Sequence, residues 1–452
     1  MRVALIELDL DAPPAHPPSR PPARYFRFAA GCAAVVLVLT LGAAAPRAAV
    51  RWRWAGLVPL AGASTSYQLL GGLLYTMDGN ANRRTATAWS TDPPRRLWSV
   101  STELQLDPSG SVIRDGGSTM VLAGAYTLQQ SATSTTVIDP RSGRIRWSSP
   151  VPVLAHSGGT GIVPETTFPA GTEYDQSSGD PGPLYWSADG VPYTQPPDRT
   201  VLHGLDLATG RERWTVTQRG SVYVVPAGGD ATGFVVVAAG RLALLAADTG
   251  AVVRERALPR FAGTDVSYPE IVGDLLILRH DVVRTGAGTA TAFGLDTFEQ
   301  RWQVREPGDT GDHSFCIGLP CEREPGGLAV LDARSGVTRW HARPNVNLIA
   351  RWSDVLEVQG DRPLRLLDLR TGKIKVDLAG WDTVTDAAGA APIMVFRAEP
   401  GSGRAGFGVL WPGARRVLPL GLSSAPVQRC SADDRFVACR VDGGIEMWSY
   451  RA

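Results

Sequence analysis

The sequence predicts an all-β fold, a β-propeller of about eight four-stranded blades (seven are possible), preceded by one transmembrane helix. Three observations support this prediction. A nine-residue phrase, Asp-x-x-Ser/Thr-Gly-x-x-x-Trp, recurs along the chain. Short apolar strands precede the phrase, and no amphipathic helical pattern of useful length accompanies it. Finally, an uncharged 18-residue run lies near the N-terminus, from Phe28 to Ala45.

The phrase has three intact copies, whose shared first, fifth and ninth residues are Asp139, Gly143 and Trp147; Asp206, Gly210 and Trp214; and Asp332, Gly336 and Trp340. Degraded copies run from Asp248 to Gly250 with Arg254 in the Trp position, from Asp296 to Trp302 two residues short, and from Asp368 to Gly372 with Val376 in the Trp position. Trp98 belongs to a first, more degraded copy.

Each copy predicts a β-hairpin. A strand of four to six residues ends at the Asp, whose carboxylate accepts backbone N–H bonds within the turn. The Gly supplies the positive φ that a tight reversal needs. The following strand alternates, so that Ile145 and Trp147 point inward and Arg144 and Arg146 point to solvent. We therefore expect the repeat tryptophans to be structural anchors that dock each hairpin against its neighbour.

The Trp positions are separated by 49, 67, 40, 48, 38 and 36 residues, from position 98 to position 376. Strand-only repeats of about 40–50 residues are typical of propeller blades. The longest interval contains a Gly- and Pro-rich stretch, at about 156–199, which is interpreted as a loop insertion. Because a propeller grows by adding blades, residues 51–452 are predicted to form one domain.

The phrase resembles the repeat of the pyrroloquinoline-quinone (PQQ)-like β-propellers, over roughly residues 85–376. Residues 436–448 resemble the inner strands of one more blade, and residues 51–54 alternate like its missing outer strand. Pairing of the two chain ends would then close the ring and remove exposed sheet edges. The count of eight includes one uncertain merger, between residues 377 and 452.

Residues 1–27 are predicted to be a disordered cytoplasmic tail, and residues 28–46 a transmembrane helix or signal anchor. The apolar run is about 27 Å long as a helix, which is near the minimum for a bilayer. Arginines lie on both sides of it, so local charge does not orient it. A cleaved signal peptide after Ala45 and a lipoprotein signal at Cys32 are the alternatives.

Four cysteines lie outside this run. Cys316 and Cys321 bracket one turn, and Cys430 and Cys439 bracket another, so each pair is a candidate disulfide. Buried reduced thiols and a zinc site are the alternatives, although the spacings are wider than those of most zinc sites. Disulfides behind an export segment favour an extracytoplasmic propeller, attached to the cell membrane by a single pass.

The net charge of +1, from 45 basic and 44 acidic residues, indicates no nucleic-acid partner. The insertion contains acidic and aromatic residues, among them Glu165, Glu173 and Tyr174. These side chains can form a lip that binds a partner or calcium, or simply a solvated loop packed on a blade.

The resemblance also raises the possibility of catalysis. Eight-bladed enzymes of this family bind PQQ and calcium on the axis, and the quinone stacks between a Trp and a ring formed by two adjacent cysteines. Adjacent cysteines do not occur in this sequence, and the calcium ligands of the family cannot be assigned. His280 and Asp281 form a weak acid–base candidate. We therefore expect no enzyme, no cofactor and no metal, but a membrane-anchored scaffold for envelope assembly or for a protein partner of unknown identity. The alternative is a PQQ-dependent oxidoreductase with an unrecognised axial site.

Overall fold

The computed structural model describes residues 51–451, with gaps at residues 61, 63–64, 81–82, 103–110, 116–118, 124–134, 150, 152, 175–180, 187–191, 229–231, 239, 259–263, 283–287, 307–313, 325 and 388–391. The predicted tail at 1–27 and the predicted anchor at 28–46 lie outside the described residues. Within the described part, no helix is of the length and apolar character that crossing a membrane would require.

The described residues form 39 strands. The first half of the chain contains β1 Arg51–Pro59, β2 Ser66–Leu70, β3 Leu73–Asn80, β4 Arg83–Ser90, β5 Arg96–Thr102, β6 Ser111–Asp115, β7 Thr119–Ala123, β8 Thr135–Ile138, β9 Ile145–Ser149, β10 Ala155–Ser157, β11 Thr160–Thr167, β12 Pro183–Trp186, β13 Pro192–Thr194, β14 Arg199–Asp206, β15 Glu212–Arg219, β16 Val222–Pro226, β17 Gly233–Ala238, β18 Arg241–Ala246 and β19 Val252–Ala257. The second half contains β20 Thr264–Val272, β21 Leu275–Val282, β22 Gly288–Gly294, β23 Gln300–Glu306, β24 Cys316–Ile317, β25 Cys321–Glu324, β26 Gly327–Leu331, β27 Thr338–Ala342, β28 Asn347–Arg351, β29 Asp354–Gln359, β30 Arg362–Asp368, β31 Ile374–Asp377, β32 Thr383–Val384, β33 Asp386–Ala387, β34 Ile393–Glu399, β35 Arg404–Leu410, β36 Leu418–Leu422, β37 Cys430–Ala432, β38 Phe436–Val441 and β39 Gly444–Arg451.

These strands form antiparallel sheets that follow one another along the chain. We number nine of them in that order: sheet 1 is β2–β5, sheet 2 is β6–β9, sheet 3 is β10, β11, β14 and β15, sheet 4 is β16–β19, sheet 5 is β20–β23, sheet 6 is β25–β27, sheet 7 is β28–β31, sheet 8 is β32 and β34–β36, and sheet 9 is β37–β39 with β1. Two short strands pair in parallel with the first strand of a later sheet, β24 with β28 and β33 with β37.

The core lies between the sheets rather than within one central layer. Every pair of consecutive sheets from sheet 1 to sheet 8 shares a cluster of buried apolar side chains. Trp52 of sheet 9 stacks on Phe407 of sheet 8, with ring centroids 5.0 Å apart. Another cluster joins Ile445 and Met447 of sheet 9 to Leu74 of sheet 1. The sheets therefore form a closed ring, as the predicted β-propeller requires.

The two ends of the described chain pair as predicted. β1 is the outer strand of sheet 9 and runs antiparallel to β39, with Arg51 opposite Arg451 and Pro59 opposite Gly444. The region from 377 to 452, where the repeat count includes one uncertain merger, contains sheet 8 and most of sheet 9. Because the repeat phrase is missing there, its two hairpins carry no sequence signal that separates them.

The first part of the predicted loop insertion at about 156–199 forms strands instead of a loop. β10 and β11 are the first two strands of sheet 3, and β11 pairs with β14 from Thr160–Asp206 to Thr167–Arg199. The residues between these strands, 168–198, contain the small hairpin of β12 and β13. At its base, the rings of Phe168 and Tyr174 meet edge to face at 6.1 Å.

Candidate functional site

Each repeat tryptophan joins its own sheet to the turn of the next sheet. The indole Nε1 donates to a backbone carbonyl oxygen of that turn over 2.9 to 3.1 Å, in the pairs Trp98–Pro140, Trp147–Leu207, Trp214–Ala247, Trp302–Ala333 and Trp340–Leu369. Trp214 is buried, with 8% of its surface exposed, whereas Trp147 and Trp340 are half-buried. These indoles thus satisfy a polar group and add apolar area at successive sheet interfaces.

The glycine of the phrase lies directly beneath the tryptophan of the preceding sheet. Gly336 has a φ of 69°, and a Cβ at this residue would lie 2.7 Å from Cγ of Trp302. The same arrangement recurs in the pairs Gly143–Trp98, Gly210–Trp147, Gly250–Trp214 and Gly372–Trp340. Glycine is therefore required twice, for the backbone conformation of the turn and for the close approach of the indole.

Sheets 4 and 5 replace this contact with a reversed pair. Arg254 occupies the Trp position, and its guanidinium donates to the carbonyl oxygen of Leu295 over 3.0 Å. The Gly position in the turn it contacts is taken by Phe298, with a φ of 57°. The Arg254 guanidinium lies over the Phe298 ring at 5.8 Å. In this pair the aromatic side chain is in the turn and the strand carries the arginine. A cation–π contact takes the place of the packing of an indole on a glycine.

The turn that contains Phe298 belongs to the degraded copy that ends at Trp302. The sequence places Asp296 at the first position of this copy, and the structure shows that this assignment is wrong. The amide of Phe298 donates to the carbonyl of Gly294 over 2.7 Å. In an intact copy, the amide of Gly210 donates to the carbonyl of Asp206 over the same distance. Gly294 is therefore the first residue of this turn, so the copy has full length and lacks the aspartate.

The aspartate of the phrase organises the turn, as predicted. Oδ1 of Asp332 accepts hydrogen bonds from the amides of Arg334 and Ser335, at 3.0 and 2.9 Å, and from the Ser335 hydroxyl. Its Oδ2 accepts from Nε of Arg339 over 2.9 Å. The corresponding ion pairs are Arg146–Asp139, Arg213–Asp206 and Lys375–Asp368. Sequence reasoning missed this cation, although a basic residue directly before the Trp position marks it.

A β-bulge explains how the basic residue reaches the aspartate. Opposite Val137 and Ile138, the register jumps from Trp147 to Ile145, so Arg146 is the extra residue of the bulge. The predicted alternation is thus interrupted, and Ile145 is 44% exposed instead of pointing inward. A bulge adds one residue to one strand, so residues on its two sides no longer keep the simple alternation of faces.

These contacts lower the pKa of the turn carboxyls. Bonds from Ser335 and Arg339 hold the pKa of Asp332 well below its usual value, and bonds from Arg146 and Ser142 do so for Asp139. Bonds from Thr371 and Lys375 lower the pKa of Asp368 to about 2. Because the folded state favours the charged form, this stability is present above the unfolded pKa of about 4 and is lost as the pH falls.

We therefore expect the free energy of unfolding to fall between about pH 4 and pH 2. Replacing Asp332 with Asn is expected to make that fall shallower, since one carboxyl with a lowered pKa is removed. Urea unfolding at a series of pH values measures both effects. An unchanged slope in the Asp332→Asn variant would show that these turn contacts do not couple to proton binding.

Both candidate disulfides are present in the structure. Cys316 of β24 is bonded to Cys321 of β25, and Cys430 of β37 is bonded to Cys439 of β38. The first links sheet 6 to a strand that pairs with sheet 7, and the second joins two paired strands of sheet 9.

Each disulfide is expected to stabilise the folded state by roughly 2–3 kcal/mol. This value is at the low end of the usual range because the closed loops are short. Peptide mapping of the protein without reductant should recover both linked pairs, and a Cys316→Ser/Cys321→Ser variant should unfold at lower urea. Free thiols at all four positions would contradict this expectation.

The nine predicted anchors do not converge on one site, because each turn lies at a different interface between sheets. The histidines are also dispersed. His203 lies between the carboxylates of Glu212 and Glu165, at 2.7 and 3.1 Å, and His280 is buried in sheet 5. In the part of the chain that the structure describes, no group of three or more His, Cys, Asp or Glu side chains is placed to hold a metal ion.

The clearest candidate for partner binding is the loop closed by the first disulfide. Phe315 and Ile317 flank Cys316 and are 44% and 50% exposed. β24 forms one edge of the sheet that contains β28, and the carbonyl of Phe315 accepts from the amide of Leu348 over 3.0 Å. Two apolar side chains are thus presented on a loop that a disulfide and a strand pairing hold in place. We refer to residues 315–321 as the disulfide loop.

Comparison with known proteins finds a family match for part of the chain. Residues 198–356 match the family described as "Outer membrane protein assembly factor BamB". No curated protein sequence matches the chain significantly.

Solved structures with a similar chain path have low sequence identity. BamB from Moraxella catarrhalis is 14% identical, with 87% of this chain and 98% of that chain covered and a TM-score of 0.42. Saccharomyces cerevisiae Sqt1 is 11% identical, with 88% and 96% covered and a TM-score of 0.42. A europium-containing methanol dehydrogenase is 10% identical, with 89% and 93% covered and a TM-score of 0.37.

The sequence match overlaps the region in which two intact phrases, those of Trp214 and Trp340, form their interlocked turns. Over residues 198–356, about a third of its length, the chain is therefore similar to the PQQ-like β-propeller repeats.

Proposed function

We propose that this protein is a membrane-anchored, extracytoplasmic β-propeller that acts as a binding or assembly scaffold for envelope proteins, without catalysis. The observation that carries this proposal is the match of residues 198–356 to the family described as an outer membrane protein assembly factor. In this proposal the nine sheets are nine blades of one ring, residues 28–46 are the anchor, and a protein binds the disulfide loop.

The way the repeat residues are used supports a scaffold. The tryptophans and glycines of the intact phrases are engaged in contacts between sheets, and the aspartates are engaged in their own turns. These residues rigidify the ring, and a rigid ring holds exposed loops in fixed positions. Phe315 and Ile317 are exposed apolar side chains of the kind that become buried at the centre of protein interfaces.

Topology is tested with fusions. A reporter that is active only outside the cytoplasm, fused after Ala452, is expected to be active, because the proposed anchor leaves residues 51–452 outside. A matched fusion after residue 27, before the apolar run, is the control and should be inactive. Activity of a cytoplasm-specific reporter at Ala452 would reverse the orientation.

Partner binding is tested with a photo-crosslinking amino acid at Ile317 in intact membranes. The control is the same amino acid at Val337, which is 65% exposed and lies in the turn between β26 and β27. A discrete protein adduct at 317 but not at 337 supports the scaffold. If purified protein instead retained PQQ after incubation with PQQ and calcium followed by desalting, the oxidoreductase would replace the scaffold as the proposed function.

A further inference from the structure

A row of four side chains crosses sheet 9 beside the second disulfide. Cys430 lies opposite Cys439, Cys439 opposite Glu446, and Glu446 opposite Leu57. Directly opposed residues of antiparallel strands point to the same face, with Cβ atoms about 4.5–5.5 Å apart. Glu446 is therefore the directly opposed cross-strand neighbour of Cys439, on the same face of the sheet.

Glu446 is buried and only partly hydrogen-bonded. Glu446 is 6% exposed, and the Ser424 hydroxyl donates a hydrogen bond to its Oε1. Among the described residues, Oε2 is buried and has no hydrogen-bond partner. A buried acceptor without a hydrogen-bond donor lowers the stability of the fold. We therefore ask which function a carboxylate next to a cysteine can have.

The two cysteines of this disulfide differ in exposure. Cys439 is fully buried, whereas Cys430, on the three-residue strand β37, is half-buried. A reagent from solution therefore meets Cys430 first, and Cys439 must complete the disulfide from inside the protein. Only a thiolate attacks efficiently, and burial in apolar surroundings disfavours the thiolate. Closure consequently needs a proton acceptor at Cys439.

We propose that the Glu446 carboxylate accepts the Cys439 proton and so accelerates formation of the Cys430–Cys439 disulfide by thiol–disulfide exchange. The Cys430 thiolate attacks a small disulfide such as oxidised glutathione, forms a mixed disulfide and releases one glutathione thiolate. Glu446 Oε2 then takes the proton from Cys439, whose sulfur attacks Cys430. The sulfur–sulfur bond to the second glutathione breaks, and its thiolate leaves. One dithiol is oxidised while one glutathione disulfide is reduced to two thiols.

The first disulfide provides a control within the same molecule. Cys321 is also buried, but the residue opposite it in the β25–β26 register is Val330. Its cross-strand neighbour therefore cannot accept a proton. The comparison of the two closures separates an effect of Glu446 from a general effect of a mutation on the fold.

The experiment starts from the full chain, reduced and then exposed to oxidised glutathione. Acid-quenched samples are mapped by mass spectrometry to follow the mixed disulfide on Cys430 and its closure. We expect Glu446→Gln to slow closure of Cys430–Cys439 at least about tenfold and to leave Cys316–Cys321 unchanged. Ser424→Ala, which frees Oε1, should have a smaller effect, and Glu446→Asp should retain part of the acceleration.

A second measurement covers the case in which the reduced protein does not stay folded. Reduction of the oxidised, folded protein by glutathione passes through the same step in reverse, so Glu446→Gln should slow it as well. Added formate should restore part of the rate in Glu446→Ala, an effect that a purely structural role would not produce. Equal rates in wild type and Glu446→Gln, or equal slowing of both disulfides, would overturn the proposal.

Discussion

Replacing Trp214 with alanine is expected to lower the free energy of unfolding by about 3–5 kcal/mol, the largest loss among the tryptophans of the three intact phrases. Trp214 is buried among residues of sheets 3 and 4, including Phe234, Val236 and Ala243. Its replacement removes apolar contact, leaves a cavity, and takes away the donor to the carbonyl of Ala247. Urea unfolding followed by circular dichroism measures the change.

The sequence alone predicts equal losses at Trp147, Trp214 and Trp340, because the phrase is the same. Their burial differs, so we expect Trp147→Ala and Trp340→Ala to cost less than Trp214→Ala. Trp54, which is 56% exposed, is the matched control and should cost least. A Trp147→Ala or Trp340→Ala variant that kept full stability but lost binding of a partner or quinone would make that tryptophan functional.

Replacing Gly336 with alanine is expected to cost about 3 kcal/mol or more, through two effects. A left-handed conformation costs a residue with a Cβ about 1–2 kcal/mol. In addition, the new Cβ would lie 2.7 to 2.9 Å from three atoms of Trp302, so the indole or the turn must shift. This shift should also lengthen or break the hydrogen bond from the Trp302 indole to the carbonyl of Ala333.

Gly360 provides the control for this second prediction. It has a similar φ of 59°, but a Cβ there would meet no atom within 4 Å. Gly360→Ala should therefore cost only the conformational part, about 1–2 kcal/mol. If the two alanine variants unfolded at the same urea concentration, close packing of the indole on the turn would not contribute to stability.

Local chemistry made much of the fold predictable. The strand, the aspartate turn and the positive-φ glycine are encoded by contiguous residues, and the turn of Asp332 forms as the phrase predicts. The pairing of the two ends also followed from the sequence, because residues 51–54 and 436–448 each lacked a partner. The sheets between 377 and 452 could not be separated, since no phrase marks their turns.

Contacts between distant residues were decided by the tertiary structure. The indole of Trp147 bonds to Leu207, 60 residues away, and the guanidinium of Arg254 bonds to Leu295, 41 residues away. The exchange of Trp and Gly for Arg254 and Phe298 shows that packing selects complementary pairs rather than fixed residues. No single segment of sequence contains both members of such a pair.

The sequence by itself thus determined the repeat, its turns and the two cysteine pairs, because each depends on residue type and short spacing. The tertiary structure decided which tryptophan of the three intact phrases is most buried, where the bulge exposes Ile145, and why Glu446 lies beside Cys439. These features depend on strand register and on the packing of neighbouring sheets. Register and packing join segments that the order of residues along the chain keeps far apart.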